Sequence, residues 1–197
     1  VVYSSNPLYQ EGYLKCRLLS PKCVEIHKKT FQPDSPKLIE VLSRCGYFVS
    51  DYLYEAKEKC EKYGTFNQGL AQILMHIGRA KSQHDFTNRV TISVPYFRKA
   101  LELCKTHHGR YSQKTSKCYQ SWGAVYWNDY AKSRSRESLE MSLEPYQNEL
   151  EILEEIQGVQ HPNTVRSRED VIIILQRLGR DQEANELLQK QPSDRQV

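Results

Sequence analysis

The chain has 197 residues, of which 39% are hydrophobic, 26% charged and 10% aromatic, and its formal net charge is +4 at pH 7. These values are ordinary for a globular protein and exclude collagen-like, low-complexity and fully disordered chains. The longest apolar run covers residues 171–175, far short of the roughly 20 residues that a membrane-spanning helix needs. Because the first residue is Val1 rather than methionine, we expect a piece of a longer protein.

Helical periodicity dominates the sequence from about Leu8 onward. Pro21 suits the first turn of a helix, so we predict that it opens a separate helix ending near Lys29. Pro145 lies inside a later helical stretch and is expected to kink or split it. The remaining periodic stretches are 37–48, 51–63, 69–81, 95–107, 113–130, 137–157, 163–178 and 181–190. The sequence therefore predicts an all-α fold of about eight to ten helices and a frayed polar tail over 192–197.

A glycine recurs between apolar residues in three predicted helices, at Gly46, Gly78 and Gly123. Glycine in mid-helix costs roughly 1 kcal/mol relative to alanine, so its recurrence predicts a second helix that crosses too closely for a Cβ atom. Ile172 occupies the matching place in a fourth helix, and the successive spacings are 32, 45 and 49 residues. The two longer spacings predict insertions near 83–92 and 130–138.

Helix pairs with a small residue in the first helix, an alanine in the second and a proline at the joint resemble tetratricopeptide (TPR) repeats. The closest match is His161-Pro162 followed by Gly179 to Ala184, which is similar to the longer repeats of kinesin light chains. This resemblance implies a right-handed α-solenoid of antiparallel helix pairs in one domain, 1–191, with units of roughly 1–34, 35–65, 66–110, 111–158 and 159–191. The positions that it assigns to repeat packing are Gly46, Gly78, Gly123, Trp122, Tyr126, Ala184 and Pro162.

The resemblance also implies which side chains face the concave groove of the array. Tyrosine, tryptophan and arginine are enriched among residues that dominate binding energy, and an ordinary solvated inner face without a ligand is the alternative. The asparagines of kinesin light chain inner helices are replaced here, so the resemblance does not extend to their binding surface. The expected groove residues are Tyr47, Met75, Arg79, Gln83, Gln120, Trp127, Asn128 and Arg177.

No catalytic or nucleotide-binding motif occurs in the sequence, so we expect neither an enzyme nor a cofactor. Cys104, His107 and His108 are the best metal candidates, but no complementary ligand pair completes a site, and a buried cysteine beside a solvated helix end is the favoured interpretation. The segment 132–138 is expected to be an exposed loop, either a connector or a phosphorylation or anion-binding site. The nearby carboxylates interpreted as mostly solvated helix surface are Glu149, Glu151, Glu154 and Glu155.

The leading hypothesis is a non-catalytic module that binds a peptide or helix of a protein partner. Residues 1–100 hold 15 Lys and Arg against 9 Asp and Glu, while residues 101–197 hold 13 against 15, so an acidic partner is favoured for the first half. The alternatives are a scaffold domain that docks on other domains of the same chain or complex, and RNA binding by a basic aromatic groove. Six cysteines without a C-x-x-C pair favour a reducing, cytoplasmic location.

Overall fold

The structure is a computed structural model that describes residues 7–64, 67–84 and 89–189. These residues form nine α-helices and no strand, which confirms the all-α prediction. The predicted tail 192–197 lies outside the described residues. The helices are α1 (Pro7–Thr30), α2 (Pro36–Gly46), α3 (Asp51–Tyr63), α4 (Asn67–His84), α5 (Arg89–His108), α6 (Gln113–Ser133), α7 (Arg136–Gln157), α8 (Pro162–Leu178) and α9 (Asp181–Gln189).

Two prolines that were expected to interrupt helices lie inside continuous ones. α1 runs through Pro21, so the predicted second helix does not exist as a separate element. Pro21 and Arg17 are both exposed, so water can solvate the Arg17 carbonyl that the proline leaves without a partner. α7 likewise continues through Pro145, which is buried against α6.

The predicted insertion near 130–138 lengthens two helices instead of forming a loop. Only Arg134 and Ser135 separate α6 from α7, and the Ser135 hydroxyl accepts a hydrogen bond from the Ser138 backbone N–H at the start of α7. The Ser138 hydroxyl is buried and donates to Asp129. The segment 132–138 is therefore a capped and mostly exposed helix-to-helix connection, which agrees with the connector interpretation, and it is shorter than the loop that was expected there.

The chain divides into two compact units, one ending at Ala80 and the other beginning at Lys81. In the first unit α1 packs on α2 and α2 packs on α3. The core of this unit is built from apolar residues at helical spacing, because these positions share one face of each helix. Its fully buried residues include Leu38, Ile39, Leu42, Leu53 and Ala56.

In the second unit each helix packs on the next, in the order α5, α6, α7, α8, α9. The turns between α6 and α9 are short, so consecutive helices in this part run antiparallel and α6 and α8 flank α7 in the same direction. Leu139, Leu143 and Tyr146 of α7 form one core cluster with Val171 and Ala184. The single domain over 1–191 that the repeats predict stays a prediction.

Two of the recurring glycines lie where a second helix crosses closely. A Cβ atom on Gly123 would lie 2.9 Å from the Tyr146 ring and 3.3 Å from Pro145 of α7. A Cβ atom on Gly46 would lie 2.5 Å from the Leu53 side chain of α3. Real Cβ contacts are longer than this, so both helix pairs require glycine at the crossing.

The joint between α7 and α8 contains a fully buried arginine. Arg168 occupies the α8 position that matches the core residues Leu42 and Leu74, and it is 0% exposed. Its guanidinium donates to a Glu154 carboxylate oxygen at 2.8 Å and to the Val159 carbonyl at 3.3 Å. A buried charge is tolerated only when it is paired, so this contact fixes the joint against α8.

Replacing Gly123 with alanine tests the close crossing. The added methyl group must displace the Tyr146 ring, and such overpacking costs about 1–3 kcal/mol, which exceeds the gain of roughly 1 kcal/mol in helix propensity. We expect Gly123→Ala to lower the free energy of unfolding by about 1 kcal/mol in urea denaturation.

Gly12→Ala is the matched control, because nothing lies within 4 Å of a Cβ atom at that position in α1. It is expected to leave stability unchanged or raise it by up to about 1 kcal/mol. Equal effects of the two substitutions would contradict a packing role for Gly123.

Candidate binding surface

In the second unit α6 and α8 both pack on α7, and we call the surface over α7 between their exposed side chains the groove. At one end it contains a cavity of about 250 Å³. Each helix contributes residues three or four positions apart, which share one helix face. α7 is antiparallel to α6 and α8. From residue 149 to 153 to 157 of α7, the neighbouring residues on α6 and α8 therefore have progressively lower numbers. The lining residues are Gln113, Ser116, Lys117 and Gln120 of α6, Glu149, Leu153 and Gln157 of α7, and Asn163, Arg166, Ser167 and Asp170 of α8.

The cavity has a buried floor and an exposed rim. Ser116, Glu149 and Ser167 are each 3% exposed, and they form the floor together with buried Leu153. The rim contains the exposed cationic side chains Lys117 and Arg166. Polar groups at the floor of a cavity that opens to solvent can contact a ligand group only after that group loses its own water.

The lining of the cavity carries three buried oxygen atoms that have no hydrogen-bond partner among the described residues: Glu149 Oε2, Ser167 Oγ and Gln157 Oε1. Native proteins pair the large majority of such atoms with protein or water, because an unpaired buried polar group costs free energy. The cavity is therefore a polar site whose acceptors are not used by the fold.

Glu149 is the most perturbed group of the site. Burial, and secondarily the negative charge of Asp170, raises the pKa of Glu149 from 4.5 to about 8, while Arg166 and the Gln120 side chain act in the opposite direction. Burial also raises the pKa of Asp170. Two neighbouring carboxyl groups thus hold their protons more strongly than they would in water, because their environment disfavours negative charge.

Trp127 and Arg177 contact each other at the other end of the groove. Trp127 lies seven residues after Gln120 on α6, and Arg177 lies seven residues after Asp170 on α8. The Arg177 guanidinium lies 5.3 Å from the centre of the Trp127 ring and 5.8 Å from that of Tyr130. The pKa of the Tyr130 hydroxyl is lowered, first by a hydrogen bond from Arg177. Trp127 and Tyr130 are half-buried and pack on the core cluster of α7, α8 and α9. This arrangement closes the far end of the groove with stacked aromatic and cationic groups.

The structure thus brings together two of the predicted groove residues, Trp127 and Arg177, and places a third, Gln120, in the lining of the cavity. Asn128 is exposed on α6 beside Trp127. Trp122 and Tyr126, expected to interlock the repeat, contact each other along α6 with tilted rings 6.5 Å apart, and Tyr126 is buried. Ala184 lies in the core cluster and Pro162 is the first residue of α8.

The other predicted groove residues belong to the first unit or to the end of α4. Tyr47 is 52% exposed and its ring lies edge-on to that of His76 at 6.0 Å. Burial, and secondarily Arg79, lowers the pKa of His76. Met75 is 9% exposed and belongs to the core rather than to an open face. Arg79 is exposed and Gly78 is buried. The Gln83 side chain lies outside the described residues.

The carboxylates expected at the helix surface differ in their surroundings. Glu149 is buried, contrary to the expectation, whereas Glu151 and Glu155 are exposed and Glu154 is half-buried against Arg168. The signal for Glu149 was present, because it lies three residues after Tyr146 and four before Leu153, on the apolar face of α7. Charged residues at such positions usually reach solvent, so the spacing alone did not identify it.

The metal candidate residues are used differently. Cys104 is buried, and a hydrogen bond with Cys118 lowers its pKa. His107 is exposed, and His108 contacts the Lys114 ammonium at 3.2 Å. In the part of the chain that the structure describes, no three His, Cys, Asp or Glu side chains are grouped to hold a metal ion. None of the helices in that part is long and apolar enough to cross a membrane.

Comparison with solved structures identifies the architecture. A putative kinesin light chain from Podosopora anserina with nearly identical TPR-like repeats matches 92% of this chain and 86% of its own, with a TM-score of 0.65 and 15% identity. The chain has a TPR-like helical repeat fold. A variant of the same protein gives a TM-score of 0.66 at the same coverage and identity. BtubC (BKLC) from P. vanneervenii matches 94% of this chain and 77% of its own, with a TM-score of 0.58 and 13% identity.

No protein-family model matches the sequence, and a comparison with curated proteins found no match. The resemblance to kinesin light chain repeats predicted from the HP joint and the glycine register is confirmed at the level of the fold. TPR-like repeats are generally non-enzymatic, and their stacked helix pairs form extended binding surfaces. The predicted repeat units, in which α6 and α8 are the first helices of successive pairs, stay a prediction.

The raised pKa of Glu149 predicts a stability that falls as pH rises. The carboxyl ionises near pH 4.5 in the unfolded chain but near pH 8 in the folded one, so its stabilising contribution is complete below about pH 4.5 and is lost towards about pH 8. Glu149→Gln cannot ionise. Relative to this variant, we expect the wild type to lose roughly 3–5 kcal/mol of unfolding free energy between about pH 5 and pH 9.

Urea denaturation over this pH range measures the difference. Glu155→Gln, an exposed glutamate on the same helix, is the control and should follow the wild type at every pH. A constant difference between wild type and Glu149→Gln across the range would contradict the buried state of this carboxyl group.

Proposed function

We propose that the chain is a non-catalytic protein-interaction module that binds a peptide or helix of a partner in the groove between α6 and α8. The TPR-like fold supports an interaction role in general terms, because helical repeats present long surfaces rather than catalytic clefts. The observation that carries the proposal is the stacking of Arg177 on Trp127 and Tyr130 at one end of a groove that has a polar cavity at the other.

The composition of this groove suits a peptide. Half-buried aromatic rings and an arginine are the residue types that dominate binding energy at protein interfaces. The polar groups on α6 and α8 provide hydrogen bonds at intervals of one helical turn. The exposed Tyr47 and Arg79 of the first unit extend the proposal to that unit, where the excess of Lys and Arg favours an acidic partner.

The proposal assigns the module to the cytoplasm and to an adaptor or scaffold role. It is supported by the six cysteines, which form no disulfide in the described part of the chain, since disulfides are rare in reducing compartments. It requires no cofactor, because the proposed role of the groove is to bind a peptide and not to catalyse a reaction.

Selection of binding peptides from a displayed random library, followed by affinity measurement, tests the groove. Arg177→Gln removes the cation that stacks on both rings while keeping a side chain of similar length. We expect it to weaken the selected peptides by about tenfold or more, as truncation of a central interface residue does.

Arg98→Gln on α5 is the matched control, because Arg98 is exposed and does not line the groove. It should bind the selected peptides like the wild type. Thermal denaturation of both variants shows whether the fold is retained. Equal affinities of Arg177→Gln and wild type for the selected peptides would contradict the proposal that the groove binds them.

A second candidate, a scaffold that docks through its outer surface, is favoured by the apolar face of α1. Leu14 and Leu18 are 55% and 77% exposed and lie one helical turn apart, and Ile26 is 55% exposed two turns beyond Leu18. Exposed apolar stripes of this kind mark surfaces that another protein surface covers.

Analytical ultracentrifugation tests this second candidate. An uncovered stripe predicts association that increases with protein concentration, and Leu18→Lys should reduce it because the added charge would have to be buried. The exposed position of Leu18 allows this substitution without loss of the fold. A wild-type chain that stays monomeric at all concentrations would count against the scaffold role.

A further inference from the structure

We propose that the cavity between α6, α7 and α8 binds the positively charged side chain of a lysine or arginine from the partner peptide, with Glu149 as its counter-ion. The inference rests on the proposed function, because it names the residue type that the groove selects. It concerns the cavity alone, so it fails or stands by a separate measurement.

The size of the cavity fits one side chain. Its volume of about 250 Å³ is below the range of roughly 300–1,000 Å³ that is typical of pockets for drug-sized ligands. The rim is exposed and the floor is buried, so a long side chain can enter while its peptide backbone stays in the groove. Lysine and arginine have the required length and an apolar stem that can contact Leu153.

The donors and acceptors of the floor also fit a cation. Glu149 Oε2, Gln157 Oε1 and Ser167 Oγ are buried, unpartnered and able to accept hydrogen bonds. An ammonium group has three donors and no acceptor, and a guanidinium group has five donors and no acceptor. A carboxylate ligand would leave Glu149 and Gln157 without donors and would meet two carboxyl groups, so an anion fits less well.

Charged or titratable groups lie around Glu149 on each helix that packs against it. α8 contributes Asp170 and Arg166, α6 contributes Lys117, and α7 itself contributes Tyr146, whose pKa is raised mainly by burial. Lys117 and Arg166 are exposed at the rim, where water screens their charges. The charge of Arg166 opposes the rise in the pKa of Glu149 and of Asp170 but does not cancel it.

Proton release gives the site a signature. Glu149 must lose its proton to pair with a cation, and its pKa of about 8 means that this proton is mostly bound at neutral pH. Lysine keeps its charge up to about pH 10. Affinity for a lysine side chain should therefore rise about tenfold from pH 7 to pH 9, because binding is linked to the release of one proton.

The test uses the complete 197-residue chain and two small probes. Nα-acetyl-lysine amide carries the cation, and Nα-acetyl-norleucine amide has a similar stem without the charge. In ¹H–¹⁵N NMR titrations at millimolar concentrations, we expect the lysine probe to shift the backbone signals of Gln120, Glu149 and Ser167. The norleucine probe should leave them unchanged.

Glu149→Gln should abolish these shifts and the dependence on pH, while Glu155→Gln should retain both. The loss of response in Glu149→Gln cannot be attributed to misfolding if its spectrum keeps the wild-type dispersion. Equal shifts from the two probes, unchanged binding by Glu149→Gln, or no shift with the lysine probe would each overturn the assignment.

The peptide selection distinguishes failure of this inference from failure of the proposed function. Selected peptides that depend on Arg177 but neither require a basic residue nor respond to Glu149→Gln would leave the module intact and overturn the cavity assignment. A lysine probe that binds as expected, without any selected peptide, would support the cavity and count against the module.

Discussion

The close crossing of α6 and α7 at Gly123 is the constraint on which the second unit depends. Without a Cβ atom at this point, the Tyr146 ring and Pro145 can lie directly against the α6 backbone. The crossing fixes the antiparallel register of the two helices. A residue about one turn before Gly123 on α6 therefore lies beside a residue about one turn after Tyr146 on α7. Gln120 is thereby placed beside Glu149, and α8 packs on the remaining face of α7 to close the cavity. The crossing at Gly123 therefore determines both the packing of α6 on α7 and the geometry of the candidate binding surface.

The candidate site destabilises the fold through a buried carboxyl group on α7. A carboxyl group on the apolar face of α7 destabilises the folded state whenever it ionises, since burial disfavours charge. Arg168 also places a charge in the interior, but its pairing with Glu154 and the Val159 carbonyl serves the joint between helices. Glu149 has no such partner for Oε2. Buried polar groups left unpaired by the fold are typical of functional positions, where stability is exchanged for recognition.

Much of the fold was predictable because local signals determine helices. Apolar periodicity located most of the elements to within a few residues, but α5 begins at Arg89 rather than at the predicted residue 95. The glycine register with the HP joint at His161-Pro162 indicated TPR-like repeats. The errors have physical causes. Pro21 lies on a solvated helix face, where a missing hydrogen bond is tolerated, and the insertion near 130–138 was absorbed as extra helical turns with a cap at Ser135.

Some features of the candidate site were predictable from the sequence, and others were not. The sequence alone determined helix type, because this follows from residue identity and a period of 3.6. The resemblance to TPR repeats implied that Gln120, Trp127 and Arg177 share the groove side of α6 and α8. Only the tertiary structure decided that Trp127 and Arg177 stack, that Met75 enters the core and that Glu149 is buried. Burial and pKa depend on which helix covers a side chain, and that is set by packing between residues distant in the chain.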